Sequence, residues 1–286
     1  SILPTFLLSK FARKQVKVAL SGDGADELFC GYAPFKSINY LKPLSFIPKS
    51  IGNMISLISE SIPTKDTYMS YHFLLKHVSR GFGWPSYLQV FRWMSPLSDK
   101  NITTLINKDF QSDYNSNSFW NNLLYNPKNN KLKLADTLSK LFYDFYLPND
   151  ILTKVDRASM YNGLEVRSPF LSKSIIDFSS QLPNKYKINH NNTKLILREL
   201  SKKMLPNNIS SRKKHGFAIP LAKMIRGPLK EKIQDTLLSK SYPVSQYFNK
   251  PELEKLLNNH FQGIDNRKPI WAIYMLYKNT ERLSKL

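Results

Sequence analysis

The tightest constraint on this chain is the run Val16-Lys17-Val18-Ala19-Leu20-Ser21-Gly22-Asp23-Gly24-Ala25-Asp26-Glu27-Leu28-Phe29-Cys30-Gly31-Tyr32. It begins as a short apolar, partly β-branched segment, the pattern of a buried strand. A glycine turn follows, and the sequence resumes as a helix from about Ala25. Three of the ten glycines in 286 residues fall between positions 22 and 31, so backbone freedom is concentrated there. A strand that ends in small residues and enters a helix points free backbone N–H groups at one spot, where an anion can bind. Asp23, Asp26 and Glu27 share that turn. Acids beside a bound phosphate repel it unless a divalent cation or a cationic substrate stands between them. The stretch therefore reads as a meeting place for phosphate, metal and a second substrate.

The rest of the composition narrows the class. Hydrophobic residues at 42% and aromatics at 13% mark a folding chain rather than a disordered one. Cys30 is the only cysteine, which excludes a disulfide framework and suits a reducing, cytoplasmic compartment. No apolar run approaches the ~18 residues of a membrane span. The first residues, Ser-Ile-Leu-Pro-Thr, lack the layout of a signal peptide and do not begin with Met, which suggests a processed product or a fragment. The net charge of +21 would suit a polyanion. Yet only 10 of the 42 basic residues are Arg, and the lysines are scattered among asparagines rather than gathered in one block. That distribution favours a solvated basic surface over nucleic-acid binding.

Along the chain, residues 5–14 space Phe6, Leu7, Phe11 and Ala12 as a helix, followed by the strand at 16–20. This α-β-loop-α unit is half of an α/β nucleotide-binding architecture, and no second convincing strand follows it. Helices are expected near 49–60 and 66–80, with His72 and His77 as core or surface residues rather than metal ligands. Residues 107–133 read as an exposed connection. A helical stripe from Leu134 to Phe145 is expected to stop at Pro148-Asn149-Asp150, and a second helix to end on Gly163. The charge pairs Asp156/Arg157 and Glu165/Arg167 flank an apolar segment and read as ions that pair on burial. Further helices at 173–182 and 194–204 follow, the latter with Lys194 and Arg198 on one face. The basic run Arg212-Lys213-Lys214-His215-Gly216-Phe217 has the makings of a loop that closes over phosphates. Residues 229–286 form a helical tail, packed through Trp271, Ile273, Leu276 and Tyr277.

Three of these segments, taken in order, resemble the synthetase domain of glutamine-dependent asparagine synthases. They are Ser21–Tyr32, Leu152–Leu171, and the stretch from Lys194 to Phe217. The resemblance is nearest to the asparagine synthase-like proteins of bacterial surface-polysaccharide clusters. It implies an α/β, mostly helical fold of the adenine nucleotide α-hydrolase-like (PP-loop ATP pyrophosphatase) class. Residues 1–40 would form the nucleotide site and 41–286 a helical remainder. It also implies a reaction: aspartate's side-chain carboxylate attacks ATP to give an aspartyl adenylate and pyrophosphate. Ammonia from a glutaminase domain then displaces AMP. By the same resemblance Ser21, Gly22 and Gly24 contact ATP, and Asp23 serves the intermediate and the attacking amine. Asp26 helps to hold Mg²⁺, and Lys214 steadies the adenylation transition state. Glu27 would be a first-turn helix acid. Asp156, Arg157, Glu165, Arg167, Lys194 and Arg198 remain candidates for substrate contact or structural pairing. A homodimer is left open.

The departures are informative. Cys30 stands where the family usually has Gly, and Ser172 where it usually has Asp. The family's Ser-Gly-Gly-x-Asp-Ser loop and its N-terminal catalytic Cys do not occur in this sequence. The expectation is therefore the C-terminal part of a longer protein, unable to make asparagine alone. Two alternatives accompany it. One is the same chemistry on another carboxylate, such as a sugar acid or a lactam precursor. The other is a basic binding protein that has kept the fold and lost the reaction.

Overall fold

The computed structural model describes residues 1–60, 75, 77–112, 132–210, 212 and 219–285. His72, most of the helix expected at 66–80, most of the connection at 107–133, and Lys214 with its basic loop lie outside the described residues. The chain divides into two compact units. One joins Ser1–Leu41 to Leu124–Ile219; the other joins Lys42–Leu123 to Pro220–Leu286. Among the described residues no helix is long and apolar enough to cross a membrane.

The first unit contains the acid–glycine turn. Helix Ile2–Ala12 leads to strand β1, Val18–Leu20. A second strand, β2 (Glu165–Arg167), pairs with it in parallel, Val18 opposite Glu165 and Leu20 opposite Arg167. This corrects the reading of a single strand. With charges at both outer positions of a three-residue strand, β2 lacks the apolar run that marks most parallel strands. Nor is β1 buried as expected: Leu20 is 74% exposed and only Ala19 is half-covered. The helix before it likewise leaves Leu7 and Phe11 in solvent and buries Ser9.

Pro148 does not stop its helix. Helix Leu134–Leu141 runs without a break into a π-helical stretch, Phe142–Leu152, and then into helix Thr153–Met160. A proline inside an α-helix removes one N–H and crowds the carbonyl four residues back. The wider π turn relieves that crowding. Side chains add bonds to carbonyls of the same stretch: Asn149 Nδ2 donates to Phe145 O at 2.8 Å, and Thr153 Oγ1 to Pro148 O at 2.7 Å. Gly163 then closes the run at φ +66°, as a C-terminal glycine should.

The second unit is helical. Its core gathers Leu105, Ile225, Ile233, Leu237, Leu253, Leu257, Ile270, Ile273 and Tyr277. Helix Arg267–Leu283 supplies the last three, while Leu276 faces solvent instead of packing. His77 is buried beside the Lys268 ammonium, 3.4 Å away, as a core histidine.

Candidate active site

The turn is held at both ends. At the end of β1 the Ser21 N–H donates to Arg167 O at 2.8 Å, extending the strand ladder by one bond. Beyond it, helix Ala25–Leu28 is a single turn, with Leu28 N–H bonded to Gly24 O at 3.0 Å. So short a helix has almost no macrodipole, and any anion here must rely on individual N–H groups. The two loop glycines do different work. Gly24 has φ +90°, and a Cβ there would come within 2.3 Å of Leu171 Cδ2. Gly22 faces open space, with nothing within 4 Å of where a Cβ would stand.

A short relay runs through the turn. Ser21 Oγ lies 2.8 Å from Asp23 Oδ2 and 2.9 Å from Ser168 Oγ. The Ser21 hydroxyl has one proton and gives it to the carboxylate, so Ser168 must be the donor in the second bond. Asp23 thereby has one oxygen fixed, while Oδ1 has no hydrogen-bond partner among the described residues. Ser168 was not singled out from the sequence. It follows β2, and only the parallel pairing brings it to Ser21.

The other two acids separate. Asp26 pairs with Lys194, Oδ1 to Nζ 3.0 Å, with both side chains about three-quarters buried. Lys194 reaches it from an N-cap position in left-handed conformation, φ +54°. Arg198, four residues on, donates its N–H to Lys194 O at 2.9 Å and its Nε to Thr193 O at 2.8 Å. Glu27 is a first-turn acid of helix Ala25–Leu28, as expected, but a buried one. It is 1% exposed, accepts the Tyr32 hydroxyl proton at Oε1, and burial pushes its carboxyl pKa up. Tyr32 stacks on Phe142 at 4.7 Å and meets Tyr146 edge-on, so an aromatic floor supports this acid.

The remaining candidates lie apart from this cluster of contacts. Glu165 and Arg167 pair at 2.7 Å but in solvent, and the burial expected of them does not occur. Asp156 and Arg157 are exposed and make no ion pair among the described residues. Asp and Arg at adjacent helix positions point in different directions, which forbids the direct pairing expected.

The structure also accounts for the two departures. Cys30 has φ +55°, where glycine is the usual occupant, and its side chain is fully buried. Burial holds its thiol pKa near 12. Ser172 is the N-cap of helix Lys173–Gln181, a position that accepts Ser and Asp alike.

Among the described residues no group of three His, Cys, Asp or Glu side chains converges. The one candidate ligand, Asp26, already holds an ammonium. With one Asp26 oxygen paired to Lys194 and no second or third acid converging, the described residues do not by themselves fit a Mg²⁺.

A parallel strand pair carrying an acid–glycine turn, within a largely helical body, defines an α/β chain of the adenine nucleotide α-hydrolase-like class. The chain belongs to the asparagine synthase family, whose pattern it matches over residues 1–279. It is 28% identical over 280 residues to asparagine synthetase [glutamine-hydrolyzing] 1 of Bacillus subtilis (strain 168), which covers 95% of this chain and 41% of the relative. A putative asparagine synthetase [glutamine-hydrolyzing] of Mycobacterium tuberculosis (strain ATCC 25618 / H37Rv) is 27% identical over 284 residues, covering 97% of this chain and 41% of that protein. A probable asparagine synthetase [glutamine-hydrolyzing] of Acanthamoeba polyphaga mimivirus is 32% identical over 156 residues, 49% of this chain and 27% of the relative. The chain thus spans well under half the length of these relatives.

Proposed function

We propose that the chain supplies the amide-forming half of an ATP-dependent ligase, with aspartate as acceptor and ammonia, delivered from glutamine, as nucleophile. The products would be asparagine, AMP and pyrophosphate. The observation that carries this reading is the Ser168–Ser21–Asp23 relay, which leaves Asp23 Oδ1 free on an open glycine turn. Adenylation forms a bond between a carboxylate oxygen of aspartate and the α-phosphorus of ATP and expels pyrophosphate. Backbone N–H groups at Gly22 and Gly24 can face phosphate oxygens, because Gly22 presents no side chain to obstruct them. In the second step ammonia bonds to the acyl carbon, AMP leaves, and the surplus proton needs a base. Asp23 Oδ1 is suited to take it, while Ser21 holds the other oxygen. By the family resemblance Lys214 would stabilise charge on the departing pyrophosphate. Aspartate as acceptor rests on the names of the relatives.

The test uses the full product of the gene that encodes this chain, supplied with ATP, aspartate and ammonium. We expect asparagine and AMP in equal amounts. Asp23→Asn should lower turnover by about 10²-fold or more, the usual contribution of a positioned base. Release of ADP instead of AMP, or an Asp23→Asn variant as fast as its parent, would overturn the proposal.

A further inference from the structure

The segment that follows β2 tracks the acid–glycine turn along its length. Arg167 O receives the Ser21 N–H and Ser168 Oγ meets Ser21 Oγ, so the start of the turn is tied to this segment. Pro169, with its φ preset, then opens a 3₁₀ turn, Pro169–Leu171. Leu171 N–H to Ser168 O at 2.9 Å and Ser172 N–H to Pro169 O at 3.1 Å close it. Its two large side chains reach the other end of the acid–glycine turn. Phe170 meets Phe29 edge-on, ring centroids 6.1 Å apart, and Phe29 is buried. The half-buried Leu171 lies against Gly24. A Cβ on that glycine would stand 2.3 Å from Leu171 Cδ2 and 2.8 Å from its Cγ, with Phe170 Cβ next at 3.6 Å. Leu171 therefore fills the space that a side chain at position 24 would take, and packs on the bare Cα.

That contact matters because nothing in glycine itself selects φ +90°. Gly24 O is held by Leu28 N–H at 3.0 Å, and Ala25 N–H reaches Gly22 O at 3.3 Å. The N–H groups of Gly22 and Gly24 make no hydrogen bond among the described residues. Their directions depend on where Ser21 and Gly24 are held, since a short turn anchored at both ends keeps few conformations. Ser21 is anchored by hydrogen bonds and Gly24 Cα by the Leu171 side chain. The buried Phe29 ring steadies Phe170, and with it the 3₁₀ turn that carries Leu171.

We propose, on the reading of this turn as the ATP site, that Leu171 is a positioning residue for the nucleotide: acting through Gly24, it presets the Gly22 and Gly24 N–H groups for phosphate oxygens. Without Leu171, ATP must itself order the turn on binding. Fixing the backbone of one residue corresponds to a factor of about 5–30 in affinity. The loss falls on the bound substrate and the transition state alike, so KM for ATP rises while kcat does not.

The full product of the gene, supplied with ATP, aspartate and ammonium, tests this. Leu171→Ala should raise KM for ATP by about 5–30-fold and leave kcat and KM for aspartate within about twofold. Leu171→Met, which nearly keeps the volume, should hold KM for ATP within about twofold of the parent. A leucine that only supports the fold would lower the Tm of Leu171→Ala and leave its KM for ATP alone. If Leu171→Ala fails to fold, Leu171→Val keeps part of the contact and should still raise KM for ATP by at least about threefold. An unchanged KM for ATP in the folded variant, or a fall in kcat alone, would overturn the proposal; AMP release by the parent would then leave the ligase reading standing. A parent that releases no AMP would overturn both.

Discussion

Alanine at position 31 would test the geometry beneath the turn. A Cβ on Gly31 would stand 2.0 Å from Asp26 Oδ1, 2.1 Å from Lys194 Cε and 2.9 Å from Asp26 Cα. The first two are side-chain atoms and can swing away, but only by giving up the 3.0 Å ion pair. The third is backbone and cannot yield without bending the helix turn, which is already tied by Gly31 N–H to Asp26 O at 2.7 Å. Overpacking of this kind costs about 1–3 kcal/mol. Losing a partly buried ion pair adds about 1–2 kcal/mol. Alanine returns about 0.5–1 kcal/mol by stiffening the unfolded chain. The net loss is about 1–4.5 kcal/mol, or a fall in Tm of roughly 2–18 °C for a chain of this size. Thermal melts by circular dichroism measure it directly. In a Lys194→Ala background two causes disappear, the Cε overlap and the pair itself, so Gly31→Ala should then cost at least about 1 kcal/mol less. A variant melting within about 1 °C of its parent would refute the reasoning. An equal cost in both backgrounds would show that Lys194 has no part in it.

Other perturbations separate stability from function. Gly22→Ala should leave Tm unchanged, because nothing lies within 4 Å of the new Cβ, yet weaken ATP in equilibrium binding by crowding its approach; a lowered Tm would contradict the open position. Glu27 carries a carboxyl pKa raised above 4.5 by burial, so its contribution to stability is fully present below that pH and lost as pH rises through the folded value. Glu27→Gln keeps an acceptor for Tyr32, and its Tm relative to the parent should climb from mildly acid to neutral pH; a flat difference would refute the burial argument. Cys30→Gly relieves about 1 kcal/mol of left-handed strain and loses about as much buried sulfur, so urea midpoints should barely move, whereas Cys30→Val should cost about 2 kcal/mol or more. With its thiol pushed up to about 12, Cys30 should react with a disulfide reagent only as fast as the chain unfolds.

What could be read in the sequence was local. The glycine turn, the helix after it, Gly163 as a C-terminal cap and the helices at 173–181 and 195–204 all follow from near-neighbour rules of periodicity and punctuation. The misses are non-local. Strand β2 is three residues long with charged ends, and it becomes a strand only because β1 offers it a ladder. Pro148 reads as a stop because the rule for proline assumes an α-helix, and a π turn escapes that assumption. Glu27 reads as a first-turn acid from its helix position, which cannot reveal that it is buried beneath Tyr32, itself stacked on Phe142.

The same distinction explains why the candidate site was only partly legible. Asp23 announces itself by sitting between two glycines, but its contact to Ser21 continues to Ser168, 147 positions from Ser21 in the chain. Asp26 sits on the same turn and has the same side chain, so no pattern rule can tell the two apart. What distinguishes them is the neighbour: Lys194 neutralises Asp26 from a backbone conformation that only an unusual N-cap provides. Asp26 Oδ1 is held by an ammonium at 3.0 Å, whereas Asp23 Oδ1 has no hydrogen-bond partner among the described residues and stands beside an open glycine. Exchanging the partners therefore offers the sharpest separation of the two roles. Lys194→Met should free Asp26 and lower stability while leaving the Ser21–Asp23 bond in place. Ser168→Ala should leave the fold intact and slow the amide-forming step, measured as asparagine formed per ATP consumed. If Ser168→Ala changes neither rate nor coupling, the relay is structural, and Asp23 acts without it.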